Sequence, residues 1–376
     1  MTNAMTDEQR LMATSVERFV AEQYEFSTRR KIIATEPGFS PQHWRQFAEL
    51  GWLALPFSEP DGGLGGSIRD VTVIAEGLGR GLFAGPYVSS IILAGGLISA
   101  LGTDTQKQRL LGPLIGGEKH MAFAYAEPQG RYNLSDIATT ATANGDSYLL
   151  NGKKSVVLYA SSADQFVVSG RTDGEQRDAD GVSLFIVDSN AEGIELKAYP
   201  TVDGQRAAEI TFNNVGAELL GPTGGAYSTI ESVCDTATLV LCAEAVGCMG
   251  HLYENTLDYI KQREQFGAAI GSFQAVQHRM VDVFMSYELA RSLTYATASR
   301  FDTQPNPTER ARLASATKFE ITKAGRHIGQ EAVQLHGGMG MTDELGIGHY
   351  FKRLTAINST LGDRHFHLER FKRLDA

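Results

Sequence analysis

The feature that most limits the fold is a hydrophobic period that changes twice along the chain. From Thr6 to about Ile115 apolar residues recur at three and four, as in Leu11, Val16, Phe19 and Val20 or in Trp44, Phe47, Ala48 and Gly51, which is the spacing of a helix face. The pattern then becomes short runs rich in β-branched and aromatic residues: Met121–Ala126, Ser147–Leu150, Ser155–Leu158, Gln165–Ser169, Val182–Val187, Ile194–Ala198 and Ala208–Phe212. Turn pairs such as Asn144-Gly145 and Asn151-Gly152 punctuate them. From about Tyr227 the helical period returns, broken by Thr303–Pro307 and by the glycines at 337, 338 and 340. The expectation is a mainly α protein with a central β domain (α+β). Its parts are an N-terminal helical domain over 1–120, an antiparallel, barrel-like middle β domain over 121–222 and a C-terminal four-helix bundle over 223–376. Ala290, Leu293, Ala296 and Ala298 should supply close packing in the bundle.

With 42% hydrophobic and 21% charged residues, the chain of 376 can bury a large core and form two or three packed domains. A net charge of −10 argues against a general nucleic-acid or anionic-membrane binder, so a phosphate-bearing ligand must be held by local cations and backbone amides. Cys234, Cys242 and Cys248 share one apolar helical stretch and are expected to be reduced core thiols, with no metal site. Met1–Arg18 is too acidic and too discontinuous to be a secretory signal, and a cytoplasmic protein is expected. Val88–Leu101, interrupted by Gly95 and Gly96, is shorter than the roughly 20 residues that span a bilayer and reads as a buried helix. Pro60–Gly66 must be a loop, with Ser67 or Asp70 capping the next helix, and Arg171–Gly181 reads as an exposed loop.

Gly77-Leu78-Gly79-Arg80-Gly81 imitates a dinucleotide fingerprint, but a helical pattern rather than a strand precedes it, so it reads as a helix end and turn. Two other segments carry more. Lys261–Gln274 offers a guanidinium at Arg263, a ring at Phe266 and an amide at Gln274, while Gln334–Gly340 offers a second amide and a glycine turn. Forked donors, a stacking face and exposed backbone amides are what a dinucleotide's diphosphate and adenine require. Taken alone, Arg263 is also placed to pair with Glu264 or Asp258 on the surface.

These two segments and the helix-strand-helix order resemble the acyl-CoA dehydrogenases over nearly the whole chain. Gly152–Leu158, Tyr199–Gly204 and His349–Leu354 are most similar to the small subunit of the two-subunit, pimeloyl-CoA dehydrogenase type. The resemblance implies FAD as cofactor. It also implies α,β-dehydrogenation of an acyl-CoA thioester: a proton leaves the carbon next to the thioester, and a hydride passes from the next carbon to flavin N5. It further implies electron-transferring flavoprotein or a similar acceptor, and assembly as a homodimer, a homotetramer or a heterotetramer with a catalytic large subunit.

The resemblance assigns Arg263, Phe266, Gln274, Gln334, Gly337 and Gly338 to the flavin nucleotide of a neighbouring subunit. Tyr125 and Ala126 fall against the flavin ring, and Ser135 and Asp235 on coenzyme A. Departures are concentrated in the catalytic parts. Ala126, Val156 and Leu158 stand where a hydroxyl, an aromatic and a hydroxyl are usual, and Thr238 replaces an arginine. Gly362 and Ala237 occupy the two positions from which the family draws its glutamate base. Asp363, beside the first, is the candidate base. Glu244, beyond the second, is better suited to pairing with a neighbouring helix, and Ser135 with Asp136 equally suits a helix cap or an Asx turn. Two readings follow: an autonomous dehydrogenase, or a pairing subunit that completes the flavin site of a catalytic homologue.

Overall fold

The computed structural model describes residues 5–374. In chain order its elements are helices α1 (Asp7–Gln23), α2 (Phe26–Ile33), α3 (Pro41–Glu49) and α4 (Ile68–Arg80), then a π-helix (Tyr87–Gly95) that runs into α5 (Gly96–Leu101), and α6 (Asp104–Ile115). Strands β1 (Met121–Ala124), β2 (Thr140–Asn144), β3 (Ser147–Leu158), β4 (Gln165–Arg171), β5 (Val182–Asp188), β6 (Ile194–Pro200) and β7 (Arg206–Leu220) follow. The rest is α7 (Tyr227–Gln262), a short hairpin of β8 (Glu264–Gln265) and β9 (Ala268–Ala269), α8 (Gln274–Thr303), α9 (Pro307–His336), α10 (Gly346–Ser359) and α11 (Arg364–Leu374). These group into two compact units, one of residues 5–30, 68–83 and 238–374 and one of residues 31–67 and 84–237.

The first unit is helical. Thr6 and Gln9 form a reciprocal capping box at the start of α1, and Asn306 followed by Pro307 caps α9. The start of α4 is also met from a distance by Asp302, whose carboxylate accepts from Ile68 N at 2.7 Å and Arg69 N at 3.3 Å. A partner so distant in sequence leaves no local signal. The glycine-rich decoy ends α4, with Leu82 at φ 51° making the turn. Its Gly79 is required by packing: a Cβ there would lie 2.0 Å from the Glu244 carbonyl oxygen on α7, and one on Gly247 would lie 1.9 Å from the Glu76 carbonyl oxygen on α4. The α8–α9 contact buries Ala298 and Ala314, whereas Ala296 faces solvent and Leu11 of α1 is exposed, both against expectation. Helix α7 is itself long and apolar enough to cross a membrane by length and composition, but 89% of that apolar window is buried within the fold, as suits a core helix.

The second unit holds the sheet. Pairings β4–β2–β3–β7–β5 return to β4 and close a small barrel, with β1 beside β4 and β6 beside β7. Most pairs are antiparallel as expected, but β1–β4 is parallel and β2 meets β4 in parallel at Thr140 and Arg171. Phe166, Phe185, Ile210, Phe212 and Val215 fill the interior. Asn144-Gly145 does form a hairpin turn, with Gly145 at φ 63°. Asn151-Gly152 does not. It lies inside the continuous strand β3, where a Cβ on Gly152 would lie 2.4 Å from Thr139 Oγ1, so the glycine serves close approach rather than a turn. Nor do Gly95 and Gly96 end the apolar segment, since a Cβ on Gly95 would crowd Phe57 at 2.6 Å.

The segment Arg171–Gly181 is more than an exposed loop. The Arg171 guanidinium is buried and donates to the carbonyls of Ser135, Ile137, Asp173, Gln176, Asp178 and Asp180 at 2.8–3.3 Å, so one side chain ties this loop to the 135–137 segment. Cys234, Cys242 and Cys248 are buried thiols outside any disulfide, and no group of metal ligands exists among the described residues.

Candidate functional site

In the helical unit the six residues assigned to the nucleotide clamp sit at element ends. Phe266 and Gly267, at φ 55° and 80°, make the two-residue turn between β8 and β9, a geometry that glycine favours at its second position. Gln274 opens α8, Gln334 lies in the last turn of α9, and Gly337 at φ 60° ends that helix. Tyr259, one turn before Arg263, stacks on His336 with centroids 4.3 Å apart, which brings the hairpin and the glycine turn together. All six are exposed, Phe266 by 94%. The guanidinium of Arg263 has no carboxylate within ion-pair distance among the described residues. No atom lies within 4 Å of where a Cβ would stand on Gly337 or Gly338. A free fork, an uncovered ring, two amides and an open backbone turn fit the diphosphate and adenine of FAD presented from outside this subunit.

The sheet unit supplies the ring wall. Glu127 is buried and organises it: its carboxylate takes the Lys154 ammonium at 2.7 Å and the amides of Ala138 and Thr139 at 2.8 and 3.1 Å. Lys154 also donates to Ser169 Oγ at 3.0 Å. Burial pushes Lys154 down to about 8, while Lys154 and the donated hydrogen bonds outweigh burial and hold Glu127 below its ordinary value. This knot fixes the backbone of Tyr125 and Ala126, and Ser155 N donates to the Ala126 carbonyl at 2.8 Å. The reading of site residues omitted both ions. A buried ion pair between the segment after β1 and a strand 27 residues further on gives little local warning beyond the lysine itself, placed four residues from inward-facing Leu150 in β3. Next to it a bulge between Lys154 and Val157 turns Val156 outward, 55% exposed and at φ 52°. A β-branched residue in that conformation is strained by about 1–3 kcal/mol. Ala126, exposed Val156 and half-buried Leu158 therefore form a wall with no side-chain hydrogen-bond donor.

Ser135 and Asp136 are committed inside their own loop. Ser135 N donates to Asn133 Oδ1 at 3.1 Å in an Asx turn, and its hydroxyl donates to the Arg177 carbonyl at 2.9 Å. Gln176 and Arg177 donate to Asp136 at 2.7 and 2.8 Å and hold its carboxyl below the usual range. Asp235 and Thr238 are buried.

Among the described residues of the helical unit, Asp363 and Glu244, the carboxylates singled out near the base positions, are both engaged. Lys318, fully buried, donates to the carbonyls of Ile357 and Thr360 at the end of α10 and so fixes the start of the following turn. Gly362 stands in that turn at φ 118°, and a Cβ there would lie 2.5 Å from Phe366 Cδ1 and 2.6 Å from His367 Nε2. His367 is buried between Ser315 Oγ at 3.3 Å and the Leu361 carbonyl at 3.1 Å, and burial with Lys318 and Arg370 nearby pushes it down to about 3. Asp363 caps α11, its Oδ1 accepting from Phe366 N at 2.8 Å. Glu244 is buried in a bidentate pair with Arg353, at 2.6 and 2.8 Å. In the sheet unit Ala237 is fully buried.

Comparison with known proteins agrees with this architecture. Family models of the acyl-CoA dehydrogenase N-terminal, middle and C-terminal domains match residues 6–118, 122–215 and 224–373. The chain is 30% identical over 354 residues to the caffeyl-CoA reductase-Etf complex subunit CarC of Acetobacterium woodii, covering 92% of each. It is 28% identical to the short-chain specific acyl-CoA dehydrogenase of Clostridium acetobutylicum, covering 90% of each. Among solved structures, a variant of the steroid ACAD Tcur3481-Tcur3483 superposes with a TM-score of 0.88 at 26% identity over 98% of both chains. The chain belongs to the acyl-CoA dehydrogenase family, with that family's N-terminal helical, middle β and C-terminal helical domains.

Proposed function

We propose that this chain is the pairing subunit of an FAD-dependent acyl-CoA dehydrogenase, completing the flavin site of a catalytic homologue rather than removing the substrate proton itself. The observation that carries this is Gly362, which holds a glutamate position in a backbone that excludes a side chain, while Asp363 beside it is spent on a helix cap and Glu244 on an ion pair. Bound flavin would supply hydride acceptance. The chain's own part is to present Arg263 to the diphosphate, Phe266 to the adenine, and Gln274, Gln334 and the Gly337-Gly338 turn to the remaining acceptors. This is the two-subunit arrangement of the pimeloyl-CoA dehydrogenase type. CarC is itself named as a subunit of an Etf complex, which supports electron-transferring flavoprotein as the acceptor of the assembly.

The chain purified alone should hold clearly less than one flavin per polypeptide and should not turn over acyl-CoA, as read from visible absorbance, flavin extraction and an artificial-acceptor assay. Full occupancy together with turnover, in the absence of any partner, would sink the proposal.

Within the flavin-binding assembly, Arg263→Ala should weaken FAD binding by about 1.5–3 kcal/mol, the worth of a charge-assisted hydrogen bond, with an unchanged thermal midpoint for the apoprotein. Flavin titration gives the answer, and equal affinity would return Arg263 to a surface role. Asp363→Asn is a sharper separation of the two readings. Asparagine caps a helix as well as aspartate, so stability should hold within about 0.5 kcal/mol and the activity of the assembly should be unaltered. A mutant assembly that binds flavin and acyl-CoA but loses dehydrogenation would establish Asp363 as the base.

A further inference from the structure

A concavity of about 330 Å³ in the helical unit is lined by Thr322, Lys323, Arg326, His327, Gln330, Asn358 and Arg364. Five of these come from one stretch of α9, where spacings of three and four put Lys323, Arg326, His327 and Gln330 on a single helix face. Asn358 comes from the end of α10 and Arg364 from the start of α11. The lining holds three permanent cations and a histidine, and no carboxylate, in a chain whose net charge is −10. Among the described residues the one acid that reaches a lining cation is Glu320, 3.6 Å from Lys323 in an exposed pair, and Arg364 lies over the Phe319 ring at 4.5 Å. Thr322, 8% exposed, has a buried hydroxyl without a hydrogen-bond partner, and Asn358 Oδ1 is in the same condition. A buried hydroxyl left unmatched costs stability unless something else engages it.

We propose that this pocket binds a phosphate-bearing anion, with Arg326, Arg364 and Lys323 supplying charge-assisted hydrogen bonds and Thr322 and Gln330 donating to the remaining oxygens. Arginine forks match phosphate geometry, and an acid-free concavity concentrates anions that the rest of the surface repels. The assignment goes beyond the pairing role: none of the lining residues is among the six that face the flavin nucleotide.

Calorimetric titration of the full chain with inorganic phosphate, pyrophosphate and ADP tests it. Saturable diphosphate binding that depends on Arg326 and Arg364 is expected, weakening as salt is raised. Arg326→Gln and Arg364→Gln, both at exposed positions, should each weaken it tenfold or more. Thr322→Val should weaken it without lowering the thermal midpoint, because the valine removes the unmatched hydroxyl. In the Arg263→Ala background, which removes the fork of the flavin clamp, the binding at this pocket should persist and keep its dependence on Arg326 and Arg364. ADP bound more tightly than pyrophosphate identifies a nucleotide, and equal affinities identify the diphosphate alone; either supports the site. No saturable binding of any of the three, or binding lost in Arg263→Ala but kept in Arg326→Gln, overturns it.

Discussion

Gly362→Glu is expected to destabilise the chain by about 2–6 kcal/mol and to leave it without dehydrogenase activity of its own. The figure adds strain of about 1–3 kcal/mol for a side chain at this positive φ to about 1–3 kcal/mol for overpacking against Phe366 and His367. Denaturant unfolding measures the first part and an acyl-CoA assay on the isolated chain measures the second. A stable, active Gly362→Glu protein would mean that the turn relaxes easily and that the missing carboxylate is the sole lesion. Combining it with His367→Ala, which empties the space the new side chain needs, should recover part of the stability.

Glu244→Gln should cost about 3–5 kcal/mol, the usual result of removing one partner from a buried ion pair. Both Glu244 and Arg353 are nearly inaccessible and joined by two short hydrogen bonds, so the amide leaves the guanidinium without the opposing charge that Glu244 supplied. Chemical unfolding of mutant and parent reads this directly. A mutant of parental stability whose assembly no longer dehydrogenates would place Glu244 in proton transfer instead.

Much of the architecture was legible because helix and strand periods are local properties, and the family motifs carry their spacing in the sequence. What escaped was tertiary. Asp302 caps α4 from more than two hundred residues away, Asn151-Gly152 looks like a turn until Thr139 is seen against it, and Arg171 looks like the edge of a polar loop until its six carbonyl partners are counted. The parallel β1–β4 pair likewise depends on strands whose sequences fit either direction. At the site, the sequence exposed the absence of glutamate at 362 but not the reason. That reason is a backbone angle and two rings, neither of which residue identity reports. Asp363 stood out by position in the sequence, and its helix cap became visible only with Phe366 in place.

The paired glycines of α4 and α7 have a mechanical consequence. Most packed helices touch through side chains, and rotamer changes let them slide past one another by small amounts. At Gly79 and Gly247 there is no side chain to adjust: each helix rests directly on the other's main chain, on the Glu244 and Glu76 carbonyls. Such a junction behaves as a bolted strut rather than a bearing, so α4 and the part of α7 it touches must shift as one body. A displacement applied at either helix is delivered to its neighbour undiminished, and Glu244, whose own carbonyl is part of the joint, carries it to Arg353 on α10.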